Sequence, residues 1–283
     1  MIVFFTRATA HFAPLMQVNR GTYTSKQFTD GEWYVFLESD VRNKHIWVIT
    51  ATNPPADHIV ELLLLLNVLE RNGPASINLL FTYFGYARHD RPLPHEASSA
   101  QVISRIFKDF KLAKIIIIHA HSPLLENYLS FENIIPIDLM CRTAQSYKTI
   151  AAPDEGAYKL IEYLADYCDL EPIYLSKIRP EQEVVKILEY DGMVRQKRIL
   201  IIDDIIATGN TIIEVAKMLK KLGADEISVW ATHGIFSNGA RARIANSDIH
   251  KVYVTNTLLQ EKSSSKIEVV NIAPFLEQLI KAQ

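Results

Sequence analysis

Two cysteines in 283 residues, Cys141 and Cys168, are too few for a disulfide framework. A formal net charge of −2 leaves no basic surface suited to nucleic acid or an anionic membrane. Long apolar runs are missing as well. Five consecutive leucines, Leu62 to Leu66, form the most apolar stretch, but Glu61 and Asn67 bound it. A bilayer span needs about 20 residues, so this is a core helix. The opening MIVFFTRATA has no cationic segment leading into an apolar run with a cleavage site, and a reducing cytoplasm is the expected compartment. CxxC and HExxH patterns are absent, which leaves no zinc motif.

What is present is alternation. A chain of this length exceeds the usual single domain, and short β-branched runs alternate with amphipathic stretches, the pattern of parallel sheets covered by helices. Residues 2–5, 46–50 and 77–81 read as strands, with a helix over 57–71 that closes near Gly73. A helix over 99–110 leads to a strand at 115–118. The pattern pauses over 136–143, so the expected domains are 1–140 and 141–283. The second half repeats the scheme, with strands at 148–152, 173–176, 199–202, 226–232, 251–255 and 267–271. Its helices are expected at 157–167, 212–222, 241–245 and 273–281, the last returning to the first domain. The segment 46–73 mirrors 199–223, which reads as an internal duplication.

The stretch ILIIDDIIATGNT, residues 199–211, organises the second half. Ile199, Leu200, Ile201 and Ile202 suit a strand buried on both faces of a parallel sheet. Asp203 and Asp204 then stand at its expected end, the edge where open α/β sheets bind ligands. Ala207, Thr208, Gly209, Asn210 and Thr211 are small or polar, so backbone N–H groups can approach an anion at the N-terminus of the next helix. Neither the glycine and lysine spacing of a P-loop nor three spaced glycines is present. Two carboxylates accept hydrogen bonds from vicinal hydroxyls, which makes a sugar phosphate the expected ligand. An acidic strand–turn–helix without a ligand uses the same residues, so the context decides.

Other stretches carry chemistry-bearing side chains. Phe28, Asp30 and Glu32 surround Gly31 in a turn between short strands. Residues 82–92 set Tyr83, Phe84 and Tyr86 beside Arg88, His89, Asp90 and Arg91. Aromatic faces stack on a nucleobase and arginine forks grip phosphate, although an aromatic corner packed on the next helix has the same composition. His119 and His121 stand two apart at a strand end and are expected to project to one side, one facing a metal and one structural. Residues 177–183, with Lys177 and Arg179, read as an exposed, mobile charged flap.

Taken in order, these stretches resemble the phosphoribosyl pyrophosphate (PRPP) synthetases over nearly the whole chain. FTDGE at 28–32 is similar to that family's FSDGE, YFGYARHDR at 83–91 to YYGYARQDR, and HAHSP at 119–123 to DLHAP. PDEG at 153–156 is similar to PDHGG, KIRP at 177–180 to KRRP, and DDIIATGNT at 203–211 to DDIIDTGGT. The fold implied is α/β, two tandem phosphoribosyltransferase-like domains, each a mostly parallel sheet flanked by helices. The activity implied is transfer of the β,γ-diphosphate of ATP to the C1 hydroxyl of ribose 5-phosphate, with Mg²⁺, in a cytoplasmic homo-oligomer. By the same resemblance Asp203 and Asp204 hold the ribose hydroxyls, while Thr208, Gly209, Asn210 and Thr211 surround the 5-phosphate. Phe28, Asp30 and Glu32, from a neighbouring subunit, receive adenine with Arg88, and His89 and Asp90 complete the ATP side. His121 and Asp154 help place Mg²⁺, and Lys177 and Arg179 close over the β-phosphorus.

The departures from that pattern sit close to the chemistry. His89 replaces a glutamine, and His119 replaces an aspartate that would be a metal-linked carboxylate. Glu155 and Ala157 replace a histidine and a glycine. Inside the phosphate loop Ala207 replaces an acid and Asn210 a glycine, whose new side chain either crowds a free phosphate or bonds to something larger attached to it. Three readings follow: a PRPP synthetase, a diphosphokinase for a substituted acceptor such as ADP-ribose, and a catalytically silent regulatory paralogue.

Overall fold

The β-branched and aromatic runs of the first half form a parallel sheet in the computed structural model, which describes residues 1–178, 186–260 and 264–282. β1 (Ile2–Phe5) and a 3-10 segment, Arg7–Leu15, precede a hairpin of β2 (Tyr23–Gln27) and β3 (Trp33–Leu37). Then come β4 (His45–Ala51), α1 (Asp57–Arg71), β5 (Ser76–Tyr83), α2 (Ser99–Ile106), β6 (Lys114–Ile118) and β7 (Glu132–Ile134). The sheet order is β1-β4-β5-β6-β7, parallel throughout, and β2 and β3 pair with each other.

The leucine run explains how α1 covers this sheet. Leu62, Leu65, Leu66 and Leu69 recur at helical spacing and are fully buried. Each such side chain contributes about 1.5–3 kcal/mol relative to exposure. Glu61, at the edge of the run, is also fully buried. Its Oε2 lies 3.2 Å from Arg7 Nε, and its Oε1 accepts from the Tyr23 hydroxyl at 3.0 Å. Arg7 stacks 3.7 Å over the Trp33 ring. Burial and the Glu61 charge push the Tyr23 phenol well above its usual range. This network fastens both ends of the β2–β3 hairpin, Tyr23 at its base through Glu61 of α1 and Trp33 beside its turn through Arg7, and so sets where residues 28–32 are held.

The second half supplies α3 (Ile137–Ala144), β8 (Thr149–Ala152), α4 (Tyr158–Cys168), β9 (Glu171–Ile178), β10 (Lys186–Asp191) and β11 (Arg198–Ile206). It continues with α5 (Asn210–Lys221), β12 (Glu226–Gly234), α6 (Ala240–Ala245), β13 (Lys251–Thr255), β14 (Ile267–Val270) and α7 (Ala273–Lys281). The sheet order is β10-β9-β8-β11-β12-β13-β14, with β9 and β10 antiparallel and the other pairs parallel. Without the edge pair, β8-β11-β12-β13-β14 repeats β1-β4-β5-β6-β7 position by position. In each half an antiparallel pair of strands intervenes in sequence between the first and second members.

Two compact units result: Met1–Ile135 with Thr257–Leu259 and Ile272–Gln283, and Pro136–Asn256 with Gln260–Asn271. The division lies at 135/136 and not at 140/141, because the residues over which the pattern pauses form α3, which packs on α4. A helix of two turns is too short for its period to show. Cys141 on α3 and Cys168 on α4 are bonded to each other, with Cα atoms 5.7 Å apart. That pairing was not expected from the sequence, where 27 residues separate them. β10 is a further strand without an expected counterpart. By pairing with β9 it extends that strand beyond residue 176, so that Lys177 lies in the ladder opposite Ile187 and not in a free flap.

Candidate active site

In the second unit, chemistry gathers at the C-terminal edge of the sheet. β11 pairs with β12 as far as Ile206 opposite Gly234, but with β8 only as far as Ile201 opposite Ala151. Asp203 and Asp204 therefore lie on the strand, which continues past its expected end to Ile206, and they stand where the β8 side has ended. Asp154 follows β8 on that side, and its Oδ1 accepts from the Gly156 N–H at 3.2 Å. The Asp204 N–H donates to Asp203 Oδ1 at 2.9 Å. Burial first, then the charge of Asp204 and a hydrogen bond with it, and then the charge of Asp154 push the Asp203 carboxyl well above the usual carboxylate range. Ionised Asp203 is thus unfavourable in the unliganded protein. Hydroxyl donors or a cation at this edge would remove that cost.

Directly after the acids the chain forms a loop and α5 begins. Gly209 has φ +78°, and a Cβ there would meet Ile244 at an ordinary 3.5 Å, so backbone conformation and not lack of space calls for glycine. The first N–H groups of any helix lack intrahelical acceptors, and no acidic side chain occupies the first turn of α5. Both features favour an anion. Thr208 and Thr211 are half-buried, and Asn210, the first helical residue, is exposed. The loop carbonyls are engaged by the chain after β12. Ile206 O accepts from the N–H groups of Ile235 at 2.9 Å and Phe236 at 3.2 Å, and Ala207 O from Ser237 at 3.0 Å. Thr208 O accepts from Arg243 Nη2 at 2.8 Å. Residues 233–240 carry no expected site role in the sequence, although Ser237-Asn238-Gly239 before an arginine-bearing helix is a turn signal. Lys177 is placed by its backbone on β9, and Arg179 lies outside the described residues.

The first unit holds the other expected residues. Of the aromatics in the 82–92 loop, Tyr83 and Phe84 are buried, and Phe84 packs edge-on against Phe81 at 5.1 Å and Phe107 at 6.3 Å. They serve as a packed corner and not as stacking surfaces, whereas Tyr86 is half-buried and Arg88 and His89 are exposed. The His89 ring closes its own loop, with Nδ1 at 3.0 Å from Ala97 O and Nε2 at 3.8 Å from Glu96. Asp90 is partly buried nearby. Phe28, Asp30 and Glu32 are exposed on a tight turn in which Phe28 N–H donates to Glu32 O at 2.8 Å and Glu32 N–H to Asp30 Oδ1 at 3.1 Å.

His119 and His121 do not share a side. His119 adopts φ +45°, which breaks the strand alternation directly after β6, so His119 is buried while His121 is exposed. Among the described residues no group of three His, Cys, Asp or Glu side chains forms a ready cage for an ion. No helix among them is long and apolar enough to cross a membrane.

The chain matches known proteins over most of its length. Residues 7–110 match the N-terminal domain of ribose phosphate pyrophosphokinase, and residues 162–282 the phosphoribosyl synthetase-associated domain. The ribose-phosphate pyrophosphokinase of Aquifex aeolicus is 32% identical over 268 residues, covering 90% of this chain and 85% of the relative. That of Chlorobaculum tepidum is 31% identical over 266 residues, covering 91% and 82%. The crystal structure of phosphoribosylpyrophosphate synthetase from Mycobacterium smegmatis has the same fold, with a TM-score of 0.88 at 24% identity over 99% of this chain and 97% of that one.

Proposed function

The chain belongs to the ribose-phosphate pyrophosphokinase family, and we propose that it moves the β,γ-diphosphate of ATP to the C1 hydroxyl of ribose 5-phosphate, giving PRPP and AMP. The single observation that carries the reading is the edge of β11, where two acids that can accept from a diol precede a helix N-terminus that can accept a phosphate. In this reading Asp203 and Asp204 take the ribose hydroxyls, which relieves the unfavourable charge on Asp203. The free N–H groups of the 207–211 loop, with the hydroxyls of Thr208 and Thr211, take the 5-phosphate. Asn210, the departure within this loop, has its side chain exposed, which supports room for a free phosphate.

The acceptor is thereby fixed by both ends, leaving its C1 hydroxyl to attack the β-phosphorus as the bond to the α-phosphate oxygen breaks. Phosphoryl-type transfer is catalysed mainly by such positioning and by cations where charge develops. Lys177 and Arg179 are proposed as those cations. Phe28, Asp30, Glu32, Arg88, His89 and Asp90 are proposed for ATP, with Phe28 and its neighbours reaching another copy of the chain, since their turn is exposed. A cytoplasmic homo-oligomer is part of the same proposal.

Mg²⁺ prefers oxygen ligands and keeps several waters, binding through one or two carboxylates together with substrate phosphates. Asp154, whose charge acts on Asp203, fits that donor set, and His121, which is exposed, is the other residue proposed to help place the ion. Bound there, the ion would screen the phosphate charge. AMP release from ATP and Mg²⁺ with either ribose 5-phosphate or ADP-ribose tests the reading. Turnover with ribose 5-phosphate is expected. Turnover with ADP-ribose alone would replace the acceptor, and silence with both would remove the activity.

A further inference from the structure

We propose that Arg243 is a positioning residue for the acceptor loop, holding the Thr208–Gly209 peptide so that its N–H faces the 5-phosphate. It rests on reading residues 207–211 as the phosphate loop. A trans peptide is planar, with its C=O and N–H pointing in opposite directions. The carbonyls of Ile206, Ala207 and Thr208 all accept hydrogen bonds from the segment that follows β12: Ile235 and Phe236, Ser237, and Arg243 respectively. The N–H groups of Ala207, Thr208 and Gly209, which share those peptide planes, are therefore turned away from that segment. Three successive N–H groups facing one way make an anion cradle.

Of the three peptides, the last is held by a side chain. Gly209 O already accepts from the Ile213 N–H at 3.1 Å as the first link of α5, but Thr208 O lies one residue outside that ladder. Its partner is Arg243 Nη2 at 2.8 Å, while Nη1 of the same guanidinium donates to Asn238 O at 2.5 Å. Asn238 at φ +51° and Gly239 at φ +72° turn the chain so that α6 can present Arg243 there. One planar fork thus bridges two loops, a geometry that a lysine ammonium reproduces only in part. Gly209 gives the peptide beside it unusual freedom. Without the brace, the Thr208–Gly209 unit can turn over and point a carbonyl, not an N–H, at the phosphate.

The test compares Arg243→Met and Arg243→Lys with the wild type in steady-state turnover and in amide hydrogen exchange over residues 205–212. Loss of a charge-assisted hydrogen bond corresponds to about 10–100-fold. Arg243→Met should raise the KM for ribose 5-phosphate by about that factor, leave the KM for ATP within about twofold, and speed exchange of the loop amides. Arg243→Lys should fall between it and the wild type, and it carries the comparison if the methionine variant does not fold. An acceptor KM that stays at the wild-type value in an otherwise active enzyme would overturn the brace while leaving the function intact. Wild-type protein that does not use ribose 5-phosphate would instead overturn the function, and loop exchange alone would then decide the brace, with unchanged protection in Arg243→Met ruling it out.

Discussion

Replacing Gly85 with alanine tests how the ATP-side loop is seated. The Gly85 N–H donates to Thr52 Oγ1 at 2.7 Å, inside the first unit. A Cβ at this position would lie 2.4 Å from Thr52 O, 2.9 Å from Thr52 C and 3.3 Å from Asn53 N, all backbone atoms that cannot rotate away. To reach ordinary contact at 3.4 Å the two segments must part by 3.4 − 2.4, or 1.0 Å, which also breaks the 2.7 Å hydrogen bond. Overpacking of this kind costs about 1–3 kcal/mol and the lost hydrogen bond about 0.5–1.5 kcal/mol. Reduced freedom of the unfolded chain returns about 0.4–1 kcal/mol. A mid-range net loss of about 2 kcal/mol corresponds to a fall in Tm of roughly 4–8 °C. Because Arg88 and Asp90 follow directly, the KM for ATP should rise while that for ribose 5-phosphate holds. Differential scanning calorimetry and initial rates measure both. A Tm within about 1 °C of wild type, with an unchanged ATP KM, would refute the seating argument.

Other perturbations address the acceptor side. Asp203 has its carboxyl raised by burial and by Asp204 and Asp154, so the folded protein holds a proton that the unfolded chain releases near the ordinary value of about 3.9. Stability of the unliganded protein should therefore fall as pH rises from about 4 through the raised pKa. Asp203→Asn should show a higher Tm than wild type at pH 8, with the gap closing toward pH 4, and weaker acceptor binding; an equal or lower Tm at pH 8 would contradict the charge argument. Asp204→Ala should chiefly raise the KM for ribose 5-phosphate, and an unaltered value would remove the diol role. Lys177→Ala should lower kcat by about 10²–10³ with nucleotide binding nearly intact, as expected for loss of a transition-state charge donor, and equal turnover would take Lys177 out of the mechanism.

What the sequence made legible was whatever a local period could express. The leucines of α1 and the isoleucines of β11 repeat at spacings that name their element and their burial, and Gly73 and Gly223 mark helix ends, with φ +66° and +92°. Features made by long-range pairing were not legible. Lys177 looked like part of a loop because its strand partner, Ile187, lies beyond a charged stretch. Phe84 looked available for stacking until Phe81 and Phe107 closed on it. His119 and His121 looked like neighbours until one left-handed residue turned them apart. Glu61 read as the polar limit of an apolar run, yet it is buried because Arg7 and Tyr23 reach it from elsewhere in the chain. The acids at 203 and 204 were found from sequence because their strand and their ligand edge are contiguous. The brace by Arg243 was not, because its meaning depends on a carbonyl 35 residues away.

In the proposed reaction the bond broken in ATP is the one between the α- and β-phosphates. ATP labelled at the β-phosphorus, incubated with the protein, Mg²⁺ and ribose 5-phosphate and followed by phosphorus NMR and mass spectrometry, reports on it directly. The β-label is expected to move to the C1 diphosphate of the sugar while unlabelled AMP is released in equal amount. Label retained in ADP, with a single phosphate on the sugar, would contradict it.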